Sequence, residues 1–158
     1  MKAIVIYFTS SGRTKKVAEA IAAELSNYEV DVEGITSTMT PMDIGKSKDR
    51  ILAGDLSDFT YNESILDLSP YDMICIGVPV WGMRPAFVFN AYIQKCEGLS
   101  GKSAVVFTTC RLYSASSLKK MKNEIEKKGG NVIHQKSFRA FFSMGEKKAR
   151  EFGKIINQ

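Results

Sequence analysis

Long apolar runs are missing from this chain. Nothing in it approaches the roughly 18 to 20 consecutive apolar residues of a membrane-spanning helix, and the opening MKAIVIYFTSSGRT has no apolar stretch ending in a cleavage site. Both absences point to a soluble protein, expected in the cytoplasm. Cysteine is scarce: Cys75, Cys96 and Cys110 are odd in number and widely spaced, which suits neither a disulfide framework nor a zinc site. They read as free thiols. Histidine occurs once, as His134, with no carboxylate or serine constellation that the sequence can assign to it, so it reads as structural or surface. Repeats, low-complexity tracts and linkers are absent as well. What remains, 158 residues with 44% hydrophobic and 25% charged, is the size of one globular domain, residues 1–158, with a single well-buried core.

Charge is present in quantity but unevenly placed. Residues 1–101 carry 9 Lys/Arg against 13 Asp/Glu, whereas residues 102–158 carry 13 against 4. The basic surplus of the C-terminal third can steer a chain toward nucleic acid, an anionic lipid surface or an acidic partner protein. Its lysines are scattered over helix faces without interleaved aromatic platforms or a nucleic-acid motif, which argues against nucleic acid. A solvated basic face is the plainest reading, and an acidic protein partner is the next.

The apolar pattern sets the fold class. Ala3 to Phe8 (AIVIYF) is an unbroken apolar run, the signature of a strand buried on both faces. After TSSGRT, the positions Val17, Ala18, Ile21, Ala22 and Leu25 recur at helical spacing. Tyr28 to Ile35 alternates acidic with apolar residues and reads as a strand nearer the sheet edge. Tyr71 to Val80 returns to the buried pattern. Between them lies a long connection with one helical stretch, Asp43 to Ala53, and an Asp- and Ser-rich remainder.

Pro85 to Cys96 (PAFVFNAYIQKC) predicts a helix with proline at its first position and an apolar face fit for a core or a homodimer seam. Lys102 to Thr109 predicts a fourth strand. Ser114 to Lys128 predicts a helix with Leu118, Met121 and Ile125 inward, stopped by Gly129-Gly130. Asn131 to Phe138 predicts the fifth strand, and about Glu146 to Asn157 a last helix with Ala149, Phe152 and Ile156 on one side. Five strands alternating with about five helices predict a doubly wound α/β fold with a parallel sheet, because parallel neighbours need crossovers and helices on both faces bury them. In such sheets a ligand sits beyond the carboxyl ends of the strands where the strand order reverses.

Three loops fall there. Thr9-Ser10-Ser11-Gly12-Arg13-Thr14 sets hydroxyls, a glycine and a cation between a buried strand and a helix N-terminus, where unpaired amides and the helix dipole favour an anion. It is neither G-x-x-x-x-G-K-[ST] nor G-x-G-x-x-G, so a nucleoside triphosphate or dinucleotide is not its natural ligand. A plain N-cap cluster is the competing reading. The second loop, Gly77 to Pro85, carries the only tryptophan, Trp81, beside Gly82 and Met83, following Pro79 and Val80. The indole suits stacking on a planar ligand, or capping of the core. The third, Thr108 to Ser114, offers Thr109, Cys110 and Tyr113 to a ligand edge, or to inert packing.

Taken together, TSSGRT resembles the flavodoxin phosphate loop, T-x-[ST]-G-x-[ST], and YDMICIGVPVWGMRPAF resembles the third strand and flavin-contacting loop of that family. The resemblance implies a five-stranded flavodoxin-like sheet of order 2-1-3-4-5 and a bound flavin mononucleotide (FMN). Its phosphate would lie on Thr9 to Thr14, and its ring between Pro79 to Met83 and Thr109 to Tyr113, with Trp81 stacked on it. The resemblance further implies a peptide beside the ring that reorients on reduction, Val80-Trp81-Gly82 or Gly82-Met83. Departures are a sequence pI near 9.1 where electron carriers of the family are usually acidic, Arg13 where asparagine is common, and an unusual third loop. The implied function is electron transfer with a redox partner protein. The alternatives are an FMN-dependent NAD(P)H reductase acting on a quinone or other small acceptor, with Ser37 to Ser69 shaping a substrate pocket or merely covering the sheet, and a flavin-free interaction module.

Overall fold

The computed structural model describes residues 1–112, 114, 116–139 and 144–158. Its sheet contains five parallel strands: β1 (Lys2–Phe8), β2 (Glu29–Ile35), β3 (Met73–Trp81), β5 (Ser103–Cys110) and β6 (Asn131–Arg139). Their order is β2-β1-β3-β5-β6, and a two-residue strand, β4 (Arg84–Pro85), pairs antiparallel with the end of β3. With that ribbon set aside, the order is the one expected from the sequence.

Period two is hidden in the apolar runs and appears only as two cores. Ile4, Ile6, Phe8, Ile74, Ile76, Val78, Ala104 and Val106 point to one face; Ala3, Val5, Tyr7, Met73, Cys75, Val105 and Phe107 point to the other. Helices α1 (Arg13–Ala22) and α6 (Met144–Ile156) cover the second face through Val17, Ala18, Ile21, Ala149, Phe152 and Ile156. Helices α4 (Val88–Lys95) and α5 (Ser117–Lys127) cover the first through Val88, Phe89, Tyr92, Met121 and Ile125. This split follows from handedness: right-handed crossovers that run one way from β1 to β2 and the other way from β3 to β6 place their helices on opposite faces. The reversal lies between β1 and β3, so their carboxyl ends frame the site.

The long connection supplies the layer that two helices alone leave open. It forms two short helices, α2 (Pro41–Lys46) and α3 (Lys48–Leu52), and a 3-10 turn at Glu63–Leu66. The single helix expected over Asp43 to Ala53 is thus broken at Ser47, whose backbone ends the first helix and precedes the second. Ile44, Ile51, Leu56, Phe59, Ile65 and Leu68 are buried in the core on this face of the sheet, and Phe59 meets Phe8 edge to face at 5.8 Å. Within this segment Met39 and Tyr61 pack on this core while Met42 is 71% exposed. The segment covers this face of the sheet and, at Pro41, also reaches the cavity at the sheet's carboxyl edge.

One expected boundary is corrected outright. Pro85 does not start a helix; it belongs to β4, where the Ala86 amide donates to the Pro79 carbonyl at 3.0 Å and folds the chain back on β3 before α4 begins. The other ends move by a few residues: α5 starts at Ser117, and α6 spans Met144–Ile156. The apolar face of α4 is core, since Val88, Phe89 and Tyr92 are buried and the Tyr92 hydroxyl donates to the Ile65 carbonyl at 2.6 Å. His134 is half-buried, edge-on to Phe152 at 6.3 Å. Among the described residues no helix is long and apolar enough to cross a membrane.

Candidate functional site

A cavity of about 550 Å³ opens at the carboxyl ends of β1, β3 and β5. Three loops build it, each for a local reason. After β1, the Thr9 hydroxyl accepts from the Gly12 amide at 2.9 Å, which curls the loop into α1. Gly12 occupies the N-cap position with φ +85°, a backbone that other residues enter only with strain. No side chain caps α1, and Ser10, Ser11, Arg13 and Thr14 around its first turn line the cavity. An anion completes such a helix end as a capping side chain otherwise would. The residues therefore fit a phosphate group.

After β3 the chain makes a two-residue hairpin, with φ +56° at Gly82 and +64° at Met83 and with Trp81 opposite Arg84. Positive φ at both central residues matches the twist of a tight hairpin. At Met83 it costs about 1–2 kcal/mol. The Ser117 hydroxyl donates to the Met83 carbonyl at 3.4 Å and buttresses the turn from α5. Pro79, Val80, Trp81, Gly82 and Met83 all line the cavity. Trp81 is half-buried and stands edge-on to Phe8, with centroids at 5.5 Å and planes at 83°, which leaves its ring fixed from one side only.

The third loop contributes Thr109 and Cys110, joined by Arg111 and Leu112. A buried bond of 2.8 Å between the Thr14 and Thr109 hydroxyls ties it to the first loop. Cys110 is 6% exposed and lies 3.5 Å from the Ser137 hydroxyl. Tyr113, expected here, lies outside the described residues.

Of the residues singled out from sequence, Ser10, Ser11, Arg13, Thr14, Pro79 to Met83, Thr109 and Cys110 line this one cavity; Thr9 and Gly12 shape the loop without lining it. Sequence reasoning missed Arg111 and Leu112, whose signal was their place inside the third loop. It also missed Pro41, carried to the rim by α2 and unmarked by any local pattern. Among the described residues no carboxylate lines the cavity, while Arg13 and Arg111 do, so its field is positive. Among the described residues no cluster of metal-ligating side chains occurs.

The family model described as Flavodoxin matches residues 2–150. The chain belongs to the flavodoxin family. Solved structures agree on the fold. A flavoprotein of Lactobacillus acidophilus NCFM in complex with FMN is similar at TM-score 0.62 and 22% identity, over 86% of this chain and 92% of that one. The two-electron reduced flavodoxin of Megasphaera elsdenii gives 0.59 at 20% identity, over 96% of both chains. Oxidised flavodoxin 2 of Bacillus cereus gives 0.62 at 19%, over 97% and 95%. No curated protein matches the chain.

All three cysteines of this flavodoxin-family protein are unpaired, and their settings differ. Burial pushes the Cys75 thiol up to about 12 and the Cys96 thiol up to about 11, which keeps both protonated and unreactive at neutral pH. Cys110 alone borders the cavity. A thiol reagent at about pH 8 is therefore expected to modify Cys110 alone in the folded protein, all three after denaturation, and Cys110 more slowly once FMN is added. Rapid native-state loss of three thiols would contradict this packing.

Proposed function

We propose that this protein is an electron-transfer flavoprotein that holds FMN non-covalently, with the phosphate on Ser10 to Thr14 and the flavin ring between Pro79 to Met83 and Thr109 to Leu112. One observation carries the reading: an uncapped helix N-terminus ringed by hydroxyls and an indole lie in the same cavity. Bound FMN supplies the electron chemistry, and the protein supplies binding, orientation and field. The amides and hydroxyls of the first loop, with Arg13, hold the phosphate by charge-assisted hydrogen bonds. Trp81 orients the ring against the hairpin, and Phe8 holds the indole edge-on. Arg13 and Arg111 give a positive field that favours added negative charge. Three unpaired thiols suit a reducing compartment, the cytoplasm.

The test compares FMN with riboflavin, which lacks the phosphate. FMN should bind at least about 100-fold tighter, and Arg13→Ala should weaken FMN about tenfold while leaving riboflavin unchanged, as expected for one hydrogen bond to a charged group. A colourless protein that FMN cannot reconstitute would overturn the reading. If NADPH alone bleached the holoprotein rapidly without a partner, the protein would be a reductase and not a carrier.

A further inference from the structure

The chain has six arginines, and the fold sorts them. Arg50 is paired with Asp55 and Asp58, and Arg150 with Glu24 and Glu146. Arg13, Arg84, Arg111 and Arg139 are all exposed and all lie at the carboxyl edge of the sheet. Arg13 and Arg111 line the cavity, Arg84 sits on the returning arm of its hairpin, and Arg139 lies in register with the cavity residue Cys110. Among the described residues none of these four is in an ion pair. On the β2 side of this edge Asp43 pairs with Lys46, and Asp55 and Asp58 pair with Arg50.

Beyond the hairpin lies a second groove, of about 370 Å³, which Arg84 shares with Lys120, Lys127, Phe87 and Pro85. Among the described residues its one carboxylate, Glu124, is held by Lys127 at 2.8 Å. Apolar surface sits at the centre of this positive field: Met83 is 60% exposed and Leu112 is 73% exposed, both at the cavity mouth.

We propose that this face docks an acidic redox protein. Its carboxylates meet Arg84, Arg139 and Lys120, and its apolar centre covers Met83 and Leu112, bringing its redox group to the mouth. The inference rests on the FMN reading for what lies inside the mouth. An apolar centre within a charged rim is the anatomy of a transient protein interface. A rim of one sign speeds encounter with the opposite sign and rejects the same sign. A protein fits better than nucleic acid because the exposed apolar side chains at the mouth, Met83 and Leu112, are aliphatic and give bases no face to stack on.

Holoprotein binding to two probes tests the idea: a plant-type [2Fe–2S] ferredoxin, which is acidic, and a mitochondrial cytochrome c, which is basic. The ferredoxin should bind at low salt and lose at least about tenfold in affinity when the Debye length falls below about 8 Å; the cytochrome should not bind. Arg84→Glu, Arg139→Glu and Lys120→Glu should each weaken ferredoxin binding roughly threefold to tenfold, with flavin absorbance unchanged. Lys154→Glu, in the last turn of α6 at the opposite end of the molecule, makes the same change in net charge and should have little effect. Absence of ferredoxin binding, equal loss in Lys154→Glu, or tighter binding of duplex DNA that the same variants abolish would each overturn the proposal. Failure of the FMN reading shows separately, as loss of flavin absorbance.

Discussion

Gly77→Ala is expected to destabilise the protein by about 2–3 kcal/mol, the upper range for overpacking a core. Gly77 and Phe107 are register partners on β3 and β5, and the Phe107 ring lies over the glycine so closely that a Cβ there would fall far inside van der Waals contact with the ring carbons. Phe107 is fully buried and meets Phe138 edge to face at 6.3 Å, so the ring cannot simply swing out. Phe107→Ala alone removes a buried aromatic and should cost about 3–5 kcal/mol. The two changes share one volume. The double variant should therefore lose about 1–3 kcal/mol less than the two losses combined. Denaturant melts of the four proteins measure this, and additive losses would show that the ring and the glycine do not compete for space. The same pair also aligns the strands that end in the hairpin and in Thr109-Cys110, so Gly77→Ala should weaken FMN binding without touching the cavity.

Trp81→Ala is expected to lower FMN affinity roughly 10- to 100-fold, the range in which stacking of a flat heterocycle on an aromatic side chain falls. The indole is half-buried and fixed edge-on by Phe8, which spares the ligand the cost of ordering it. Riboflavin should weaken in parallel with FMN, because the lost contact is to the ring. Arg13→Ala should do the opposite and weaken FMN alone, so the two variants separate the two ends of the site. Trp81→Phe should recover part of the affinity. Since Trp81 also packs on the core, the melt of the apoprotein is measured alongside. Unchanged flavin affinity in Trp81→Ala would place the ring elsewhere.

Much of this architecture was legible along the chain because burial on both faces writes long apolar runs, and Ala3 to Phe8, Tyr71 to Val80 and Lys102 to Thr109 are such runs. The first loop was legible because hydroxyls and a glycine at a strand-to-helix junction have few other uses, and Trp81 because it stands alone in the sequence. Helix ends were less so. Pro85 looks like a helix start, yet the pairing of Val80 with Pro85 and Trp81 with Arg84 claims it for a hairpin, and a backbone pairing with distant atoms leaves no local mark.

By itself, the sequence determined the parallel sheet, the element order, the cation and hydroxyls of the first loop, and the presence of an excess of basic residues. Local pattern suffices for these, since each depends on the solvent exposure or backbone preference of a short segment. Only the tertiary structure decided that Thr14 bonds Thr109 across 95 residues, that Pro41 reaches the rim, and that the ring of Phe107 requires a glycine at 77. It alone also decided that four arginines gather at one edge while the other two are neutralised. These are relations between segments far apart in the chain, set by strand register and by the side on which each crossover packs.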